Sequence, residues 1–118
     1  MAKYLVLFSF TGETMGRFLH NPGDRAAAVR TLATAIGGSL DAYYWMFGQY
    51  DGMAIIEAPD AETMAAVSLA VTGSGAFRHF ETHELIAASD LVRIVERAQS
   101  LQSSYHAPGT PATSAPTQ

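Results

Sequence analysis

The stretch Ser39–Pro59, SLDAYYWMFGQYDGMAIIEAP, decides the fold of this chain. Its first half alternates two sets of mostly apolar and aromatic residues, which is typical of a β-strand with both faces covered. Asp51-Gly52 is a strong reversal signal, and Met53–Ala58 is again a strand-like run. We therefore predict a β-hairpin. One set in its first strand is Leu40, Ala42, Tyr44 and Met46, and the other is Asp41, Tyr43, Trp45 and Phe47.

The residues before the hairpin predict one strand and two helices. Lys3–Thr11 alternates an aromatic face, which we expect to pack on helices, with a second face that looks into a barrel or cavity. Gly12–His20 has apolar residues at helical spacing, so we expect a short helix there, ended before the following proline. Asp24 is placed to cap a longer helix, and Gly37-Gly38 ends that helix with left-handed geometry.

A second helix and strand follow the hairpin. Asp60 is placed to cap Ala61–Thr72 as a helix, and Ala76–Leu85 alternates as a fourth strand. Ser89 is placed to cap a C-terminal helix with one apolar stripe. This order of elements predicts an α+β fold with helices on one face of an antiparallel sheet. The stripe consists of Leu91, Ile94, Val95, Ala98 and Leu101.

The hairpin turn carries a family resemblance. Gly48-x-Tyr50-Asp51, between an aromatic strand and an apolar one, resembles the signature of the GYD-domain family. Lys3–Thr11, Gly37-Gly38 and Pro59-Asp60 fit the same family. The resemblance implies a ferredoxin-like βαββαβ unit of the dimeric α+β-barrel kind. It implies no agreed reaction, catalytic residue or cofactor, so none is transferred to this chain.

The predicted surface points to self-association. Charged residues make up only 15% of the chain, against about 25% in a typical domain, and neither face of the predicted sheet is polar. A second sheet from another subunit would cover the face without helices, so we predict a homodimer or higher homo-oligomer. The net charge of −4 argues against nucleic acid and against an anionic membrane as partners.

Length and composition bound the domain organisation. The 118 residues suit one domain, which we assign to residues 1–101, followed by a tail over residues 102–118 rich in Pro, Ser, Thr and Ala. We expect Tyr105 to anchor this tail against another subunit and Pro108–Pro116 to be extended. The start of the chain lacks a signal-peptide cleavage pattern, and no run is long enough to cross a membrane, so we expect a cytoplasmic protein.

One strand carries metal-ligating residue types. His79, Glu81 and His83 alternate along the fourth strand, and they are ligand types of iron and zinc sites. The two histidines are about 13 Å apart along an extended strand, which is too far for one ion without other ligands. A half-exposed strand face explains the pattern as well. We therefore predict no metal, with these three residues as the candidates if one binds. The chain has no cysteine, which excludes disulfides, thiolate metal sites and a cysteine nucleophile.

Aromatic residues of the hairpin are candidates for binding an organic ligand. Tyr43 and Trp45 share a strand face with Asp41 by simple alternation, and this wall either lines a pocket or fills the core or a subunit interface. We expect any pocket to include Tyr43 or Trp45. Its polar contributors are expected among Asp51, Glu57, His79 and His83.

Two further candidates lie in and after the turn. Tyr50 beside Asp51 either moves protons or stabilises the turn, and the structural role is the better supported of the two. Glu57 lies in an apolar strand and is the carboxylate that we expect to be partly buried. Burial would raise its pKa, as a general base requires, but a solvated position at the strand end fits the sequence equally well.

Three classes of function are compatible with these features. The first, which we favour, is an oligomer that binds a small organic molecule; the second is a small dimeric-barrel enzyme of the monooxygenase or isomerase kind; the third is an assembly subunit with an interacting tail. The sequence contains no nucleophile elbow or phosphate-binding loop, since Gly73-Ser74-Gly75 is a helix end. Neither the reaction nor a cofactor is assigned at this point.

Overall fold

A computed structural model describes residues 1–111 of the chain. Contacts divide the chain into a first unit, Met1–Leu85, and a second unit that begins at Ile86. The predicted division at residues 101 and 102 stays a prediction. The first unit contains strands β1 (Ala2–Phe10), β2 (Ser39–Trp45), β3 (Gly52–Ala58) and β4 (Phe77–Leu85), and helices α1 (Gly12–His20), α2 (Arg25–Ala35) and α3 (Ala61–Thr72). The second unit contains helix α4 (Leu91–Leu101) between the 3₁₀ turns Ala88–Asp90 and Gln102–Ser104.

The strands of the first unit form one antiparallel sheet in the order β2-β3-β1-β4. Strand β1 pairs with both β3 and β4, so the first and last strands are neighbours. This order, with helical connections after β1 and β3, confirms the predicted α+β, ferredoxin-like βαββαβ fold. One boundary was wrong, because Met46 and Phe47 lie outside β2. The Met46 amide donates to the Asp51 carbonyl at 2.8 Å, and the Phe47 side chain is fully exposed.

The helices of the first unit pack on one face of the sheet, which we call the helix face. Every second residue of β3, and of β1 from Tyr4 onward, is buried there, because successive side chains of a strand point to opposite faces. The aromatic face of β1 is thus the face that packs on helices, as its alternation predicts. The buried core comprises Tyr4, Val6, Phe8, Phe10, Ala54, Ile56 and Ala58 from the strands, and Ala33, Met64 and Val67 from the helices.

The opposite face, which we call the open face, has an apolar centre. Leu5 lies in register between Ile55 of β3 and His83 of β4, and Leu7 lies between Met53 and Glu81. The leucines and their β3 partners are half-buried. In the first unit, α1, α2 and α3 all belong to the helix face, so no helix of this unit lies over the apolar strip. The predicted dimer through this face remains a proposal.

Two β-bulges change the alternation that the sequence predicts. In β2, the residue Asp41 is skipped in the pairing with β3, and in β4 the pairing with β1 skips Arg78. A bulge adds one residue and reverses the facing of those that follow. Asp41 therefore lies on the open face, where its carboxylate contacts Lys3 Nζ at 2.6 Å, and Tyr43 lies on the helix face. The predicted common face of Asp41, Tyr43 and Trp45 was wrong for this reason.

The predicted helix ends are mostly confirmed. Asp24 and Asp60 cap α2 and α3 by accepting hydrogen bonds from backbone N–H groups three residues on. Gly37 has a φ of 78°, and the amides of Gly37 and Gly38 donate to carbonyls of the last turn of α2. The prediction that Ser89 caps the C-terminal helix was wrong. Ser89 lies inside the 3₁₀ turn, and α4 begins after Asp90 without a side-chain cap.

The second unit is mostly exposed in the described residues. The large side chains of the apolar stripe of α4 are exposed by between 36% at Ile94 and 63% at Leu101. Tyr105 is also exposed, so its predicted role as an anchor on another subunit stays a prediction. The Thr110 amide donates to the Ala107 carbonyl across Pro108-Gly109, which is a turn and not the predicted extended segment. The rest of Pro108–Pro116, from residue 112, lies outside the described residues.

A membrane-spanning helix is absent from residues 1–111, since no helix there is both long enough and apolar enough to cross a bilayer.

Candidate functional site

A large cavity lies between the helix face of the sheet and helices α1, α2 and α3. Its volume is about 1100 Å³, and it is partly open to solvent. We call it the helix-side cavity. Its floor is formed by β1 and β3, with Val6, Ala54 and Ile56 at its centre.

Small side chains on the flanking helices keep this space open. Helix α2 packs mainly on β2 and helix α3 mainly on β4, so the two helices lie over opposite sides of the sheet. Ala28 of α2 and Ala70 of α3 line the cavity and are exposed. Because an alanine side chain fills little volume, the helices leave a groove between them that reaches down to the sheet.

Aromatic rings form one wall of the helix-side cavity. The rings of Phe10 and Phe77 stack with centroids 4.8 Å apart, and Phe8 meets Phe77 edge to face at 5.8 Å. Phe80 meets Phe77 at 5.3 Å, and Tyr43 lies 5.8 Å from Phe8. We call Phe8, Phe10, Tyr43, Phe77 and Phe80 the aromatic wall. Such a surface provides large apolar contact area with defined ring geometry.

Trp45 lies beside the cavity and supports its wall. Its ring centroid is 6.1 Å from that of Phe10 and 5.5 Å from that of Phe18, and both of these rings line the cavity. The side chain is 43% exposed. Since it is the single tryptophan of the chain, its fluorescence reports on this region.

Tyr43 brings a polar atom into the aromatic wall. It is half-buried and lines the cavity together with Arg25 at the start of α2. Burial raises the pKa of the Tyr43 hydroxyl, and the nearby positive charge of Arg25, with its hydrogen bond, acts in the opposite direction. The hydroxyl therefore stays protonated at neutral pH and is available as a hydrogen-bond donor or acceptor.

A polar cluster lies on the other side of the sheet, at the β4 edge of the open face. Glu81 is at its centre and accepts a hydrogen bond from the Tyr50 hydroxyl at 2.5 Å. Its carboxylate oxygens also lie 2.6 Å from Nε2 of His79 and 2.9 Å from Nε2 of His83. We call these four residues the Glu81 cluster.

The hydrogen bonds of the Glu81 cluster shift the pKa values of Glu81 and Tyr50. The hydrogen bonds from Tyr50, His79 and His83, in that order, lower the pKa of Glu81 to about 2. The hydrogen bond to Glu81 raises the pKa of Tyr50, and partial burial adds to this effect. A carboxylate that orients an imidazole is an arrangement suited to taking up a proton. The cluster is nevertheless shallow, since both histidines are exposed.

The metal candidates of β4 do not form a metal site in residues 1–111. No group of three His, Cys, Asp or Glu side chains in this part of the chain is arranged to hold a metal ion. His79 and His83 instead direct Nε2 at the two separate oxygens of Glu81. The three residues whose spacing suggested metal ligation form hydrogen bonds with one another.

The residues of the turn that joins β2 to β3 hold it against β1 and β4. Asp51 Oδ2 accepts a hydrogen bond from the Phe10 amide at 2.9 Å, and the Asp51 amide donates to the Phe8 carbonyl at 2.8 Å. Tyr50 reaches Glu81 on β4. Gly48 has a φ of 148°, which side-chain-bearing residues rarely adopt. These contacts favour the structural role of Asp51, and the phenol of Tyr50 pairs with the carboxylate of Glu81.

The structure therefore separates the predicted site residues into two groups. Tyr43 and Trp45 belong to the helix face, whereas His79 and His83 belong to the open face. Glu57 is half-buried on the open face in register with Lys3. The helix-side cavity includes Tyr43 but none of the four predicted polar contributors, so a ligand pocket that contains them stays a prediction.

Sequence reasoning missed most residues of the helix-side cavity. The alternation of β1 places Phe8 and Phe10 on one face, but it does not say that a space remains above them. Phe77 and Phe80 are three residues apart, so simple alternation assigns them to opposite faces, and only the bulge at Arg78 brings them together. Arg25 has no sequence signal beyond following a helix cap.

Comparisons with known proteins give a match to one family model and to two solved structures. A family model described as the GYD domain matches residues 4–95. A search for similar curated proteins returned no match. The crystal structure of FFRP-DM1 is similar with a TM-score of 0.46 and 14% identity, over 73% of this chain and 100% of that one. The crystal structure of TTHA0845 from Thermus thermophilus is similar with a TM-score of 0.48 and 19% identity, over 75% of this chain and 96% of that one.

Proposed function

This chain belongs to the GYD-domain family, and from that premise we propose that it is an oligomeric protein that binds a small organic molecule in the helix-side cavity. The observation that carries the proposal is the cavity of about 1100 Å³ with its aromatic wall. Sites for small molecules are concave and mostly apolar, with a few polar groups that orient the ligand. The cavity has this character, since Tyr43 and Arg25 place polar groups beside the aromatic rings.

A second copy of this chain is the occupant that we propose for the open face. Leu5, Leu7, Met53 and Ile55 make an apolar strip there that no helix of the first unit covers. Burying such a strip releases water and stabilises a sheet-on-sheet contact. The low charge content of the chain supports self-association, and its net charge of −4 supports neither nucleic acid nor an anionic membrane as a partner.

Binding in the helix-side cavity is tested by filling it. The neutral probe 1-pyrenemethanol is large and flat, and its fluorescence anisotropy rises when it is immobilised. We expect the full-length chain to bind it, and Ala28→Phe to weaken binding by at least about tenfold, because the new ring occupies the groove. The exposed position of Ala28 lets the variant fold, which circular dichroism confirms.

The matched control is Ala35→Phe. Ala35 is also an exposed alanine of α2, but it does not line the cavity. We expect this variant to bind the probe as the wild type does. Equal affinity of all three proteins, or no binding to the wild type, would show that the helix-side cavity is not a ligand site.

A further inference from the structure

The charged groups that line the helix-side cavity are all of one sign. Arg17 and Arg25 line it together with His20, and none of the described residues that line it is an aspartate or a glutamate. The whole chain, by contrast, carries a net charge of −4. The lining of the cavity is thus positively charged, although the protein as a whole is acidic. A neutral or cationic ligand would gain nothing from this arrangement.

The two arginines are not equivalent. Arg17 Nη1 lies 3.3 Å from the Glu13 carboxylate, and its other terminal nitrogen donates to the Thr14 hydroxyl. These contacts hold Arg17 at the helix surface, where it is exposed. Arg25 is half-buried and lines the cavity together with Tyr43, and its positive charge acts to lower the pKa of the Tyr43 hydroxyl. Of the two arginines that line the cavity, Arg25 is thus the one whose charge acts on a residue of the aromatic wall.

Polar and apolar recognition elements are adjacent in this cavity. The Tyr43 ring belongs to the aromatic wall, 5.8 Å from Phe8, and Tyr43 and Arg25 place polar groups in the same cavity. A guanidinium binds a carboxylate through two parallel N–H groups, and a phenol hydroxyl donates to the same group. Flat apolar rings pack on an aromatic wall by stacking and edge contacts.

Resting on the function proposed above, we propose that the helix-side cavity selects a flat aromatic carboxylic acid. The carboxylate of the ligand binds to Arg25 and to the hydroxyl of Tyr43. The ring system of the ligand lies along Phe8 and Phe77. The ligand class thus follows from the presence of Arg25 and the aromatic wall in the same cavity.

The experiment compares two probes that share a ring system. 1-Pyrenecarboxylate carries the acid, and 1-pyrenemethanol is its neutral counterpart. We expect the wild-type chain to bind the acid at least about tenfold more tightly, since a hydrogen-bonded charge pair out of bulk water has this magnitude. Arg25→Gln should remove most of this preference, so that the acid and the alcohol bind with similar affinities. Arg25→Lys, which keeps the charge and loses the planar fork, should retain part of the preference.

Arg30→Gln is the matched control, because Arg30 is an exposed arginine of the same helix that does not line the cavity. It changes the net charge by the same amount, so it should leave both affinities as in the wild type. Equal binding of acid and alcohol, or equal losses in Arg25→Gln and Arg30→Gln, would overturn acid selection while leaving the cavity as a binding site. If Ala28→Phe weakened the binding of neither probe, the proposed function itself would fail.

Discussion

Glu81 shows at the scale of a single residue how the fold changes chemistry. Its carboxylate is held by three hydrogen bonds on the open face, and its pKa is lowered from an ordinary value of 4.5 to about 2. A lowered pKa in the folded state means that folding favours the ionised form. The resulting stability is fully present above the unfolded-state pKa and is lost as the pH falls from about 4.5 to about 2.

The prediction from Glu81 concerns acid unfolding. Over this pH range we expect Tm of the wild type to fall more steeply than Tm of Glu81→Gln, which has no carboxylate to protonate. Tyr50→Phe removes the hydrogen bond that lowers the pKa of Glu81 most, so it should move the end of the fall to higher pH, closer to the ordinary pKa of a glutamate. Calorimetry at several pH values measures these differences. Parallel Tm profiles for wild type and Glu81→Gln would contradict the assignment.

The end of α2 shows how an element is fixed by backbone contacts. Gly37 takes the left-handed conformation, and Gly38 passes so close to β3 that an added Cβ would lie 1.9 Å from the Glu57 carbonyl oxygen. The two glycines are thus required for different reasons. The first is needed for its φ, and the second for the space between helix end and sheet.

The prediction for this element is a ranking of three glycine substitutions. Gly37→Ala should cost about 1 kcal/mol of unfolding free energy, since an alanine is strained in that conformation. Gly38→Ala should cost roughly 3 kcal/mol or more, because the backbone must move away from β3. Gly23→Ala is the control, since nothing lies within 4 Å of the added Cβ. Urea unfolding measures all three, and a Gly38→Ala protein as stable as the Gly23→Ala protein would refute the packing argument.

At the scale of the whole molecule, the two faces of the sheet differ in what lies against them. The helix face encloses a cavity within one chain. The open face carries an apolar strip beside the Glu81 cluster, and we propose that a second copy covers it. The separation has a practical consequence, because ligand binding and self-association are altered by different substitutions.

The oligomer prediction uses this separation. Light scattering of the wild type should give at least twice the chain mass of 12.6 kDa. Met53→Lys places a charge in the apolar strip of the open face, in register with Leu7 and Tyr44, and should shift the protein towards monomer, because a buried unpaired charge is costly. Leu69→Lys places the same charge on α3 at a position that is already 74% exposed, so it should leave the mass unchanged. A wild-type mass near that of one chain would refute the proposal.

The sequence by itself determined the order of the elements, the caps at Asp24 and Asp60, and the glycine end of α2. These features depend on contacts between residues three to five apart or on alternation within one strand, and such contacts are present in the local sequence. It also determined the family, through the turn at Gly48, Tyr50 and Asp51.

Only the tertiary structure decided which residues form each site. The bulges at Asp41 and Arg78 depend on pairing with strands distant in the chain, and each reverses the faces that simple alternation predicts. The cavity depends on where two helices lie over a sheet, and the Glu81 cluster joins a turn to a strand that is 31 residues away. The spacing of residues along the chain does not give such distances. For this reason, residues that the sequence assigned to one pocket lie on two faces of the sheet.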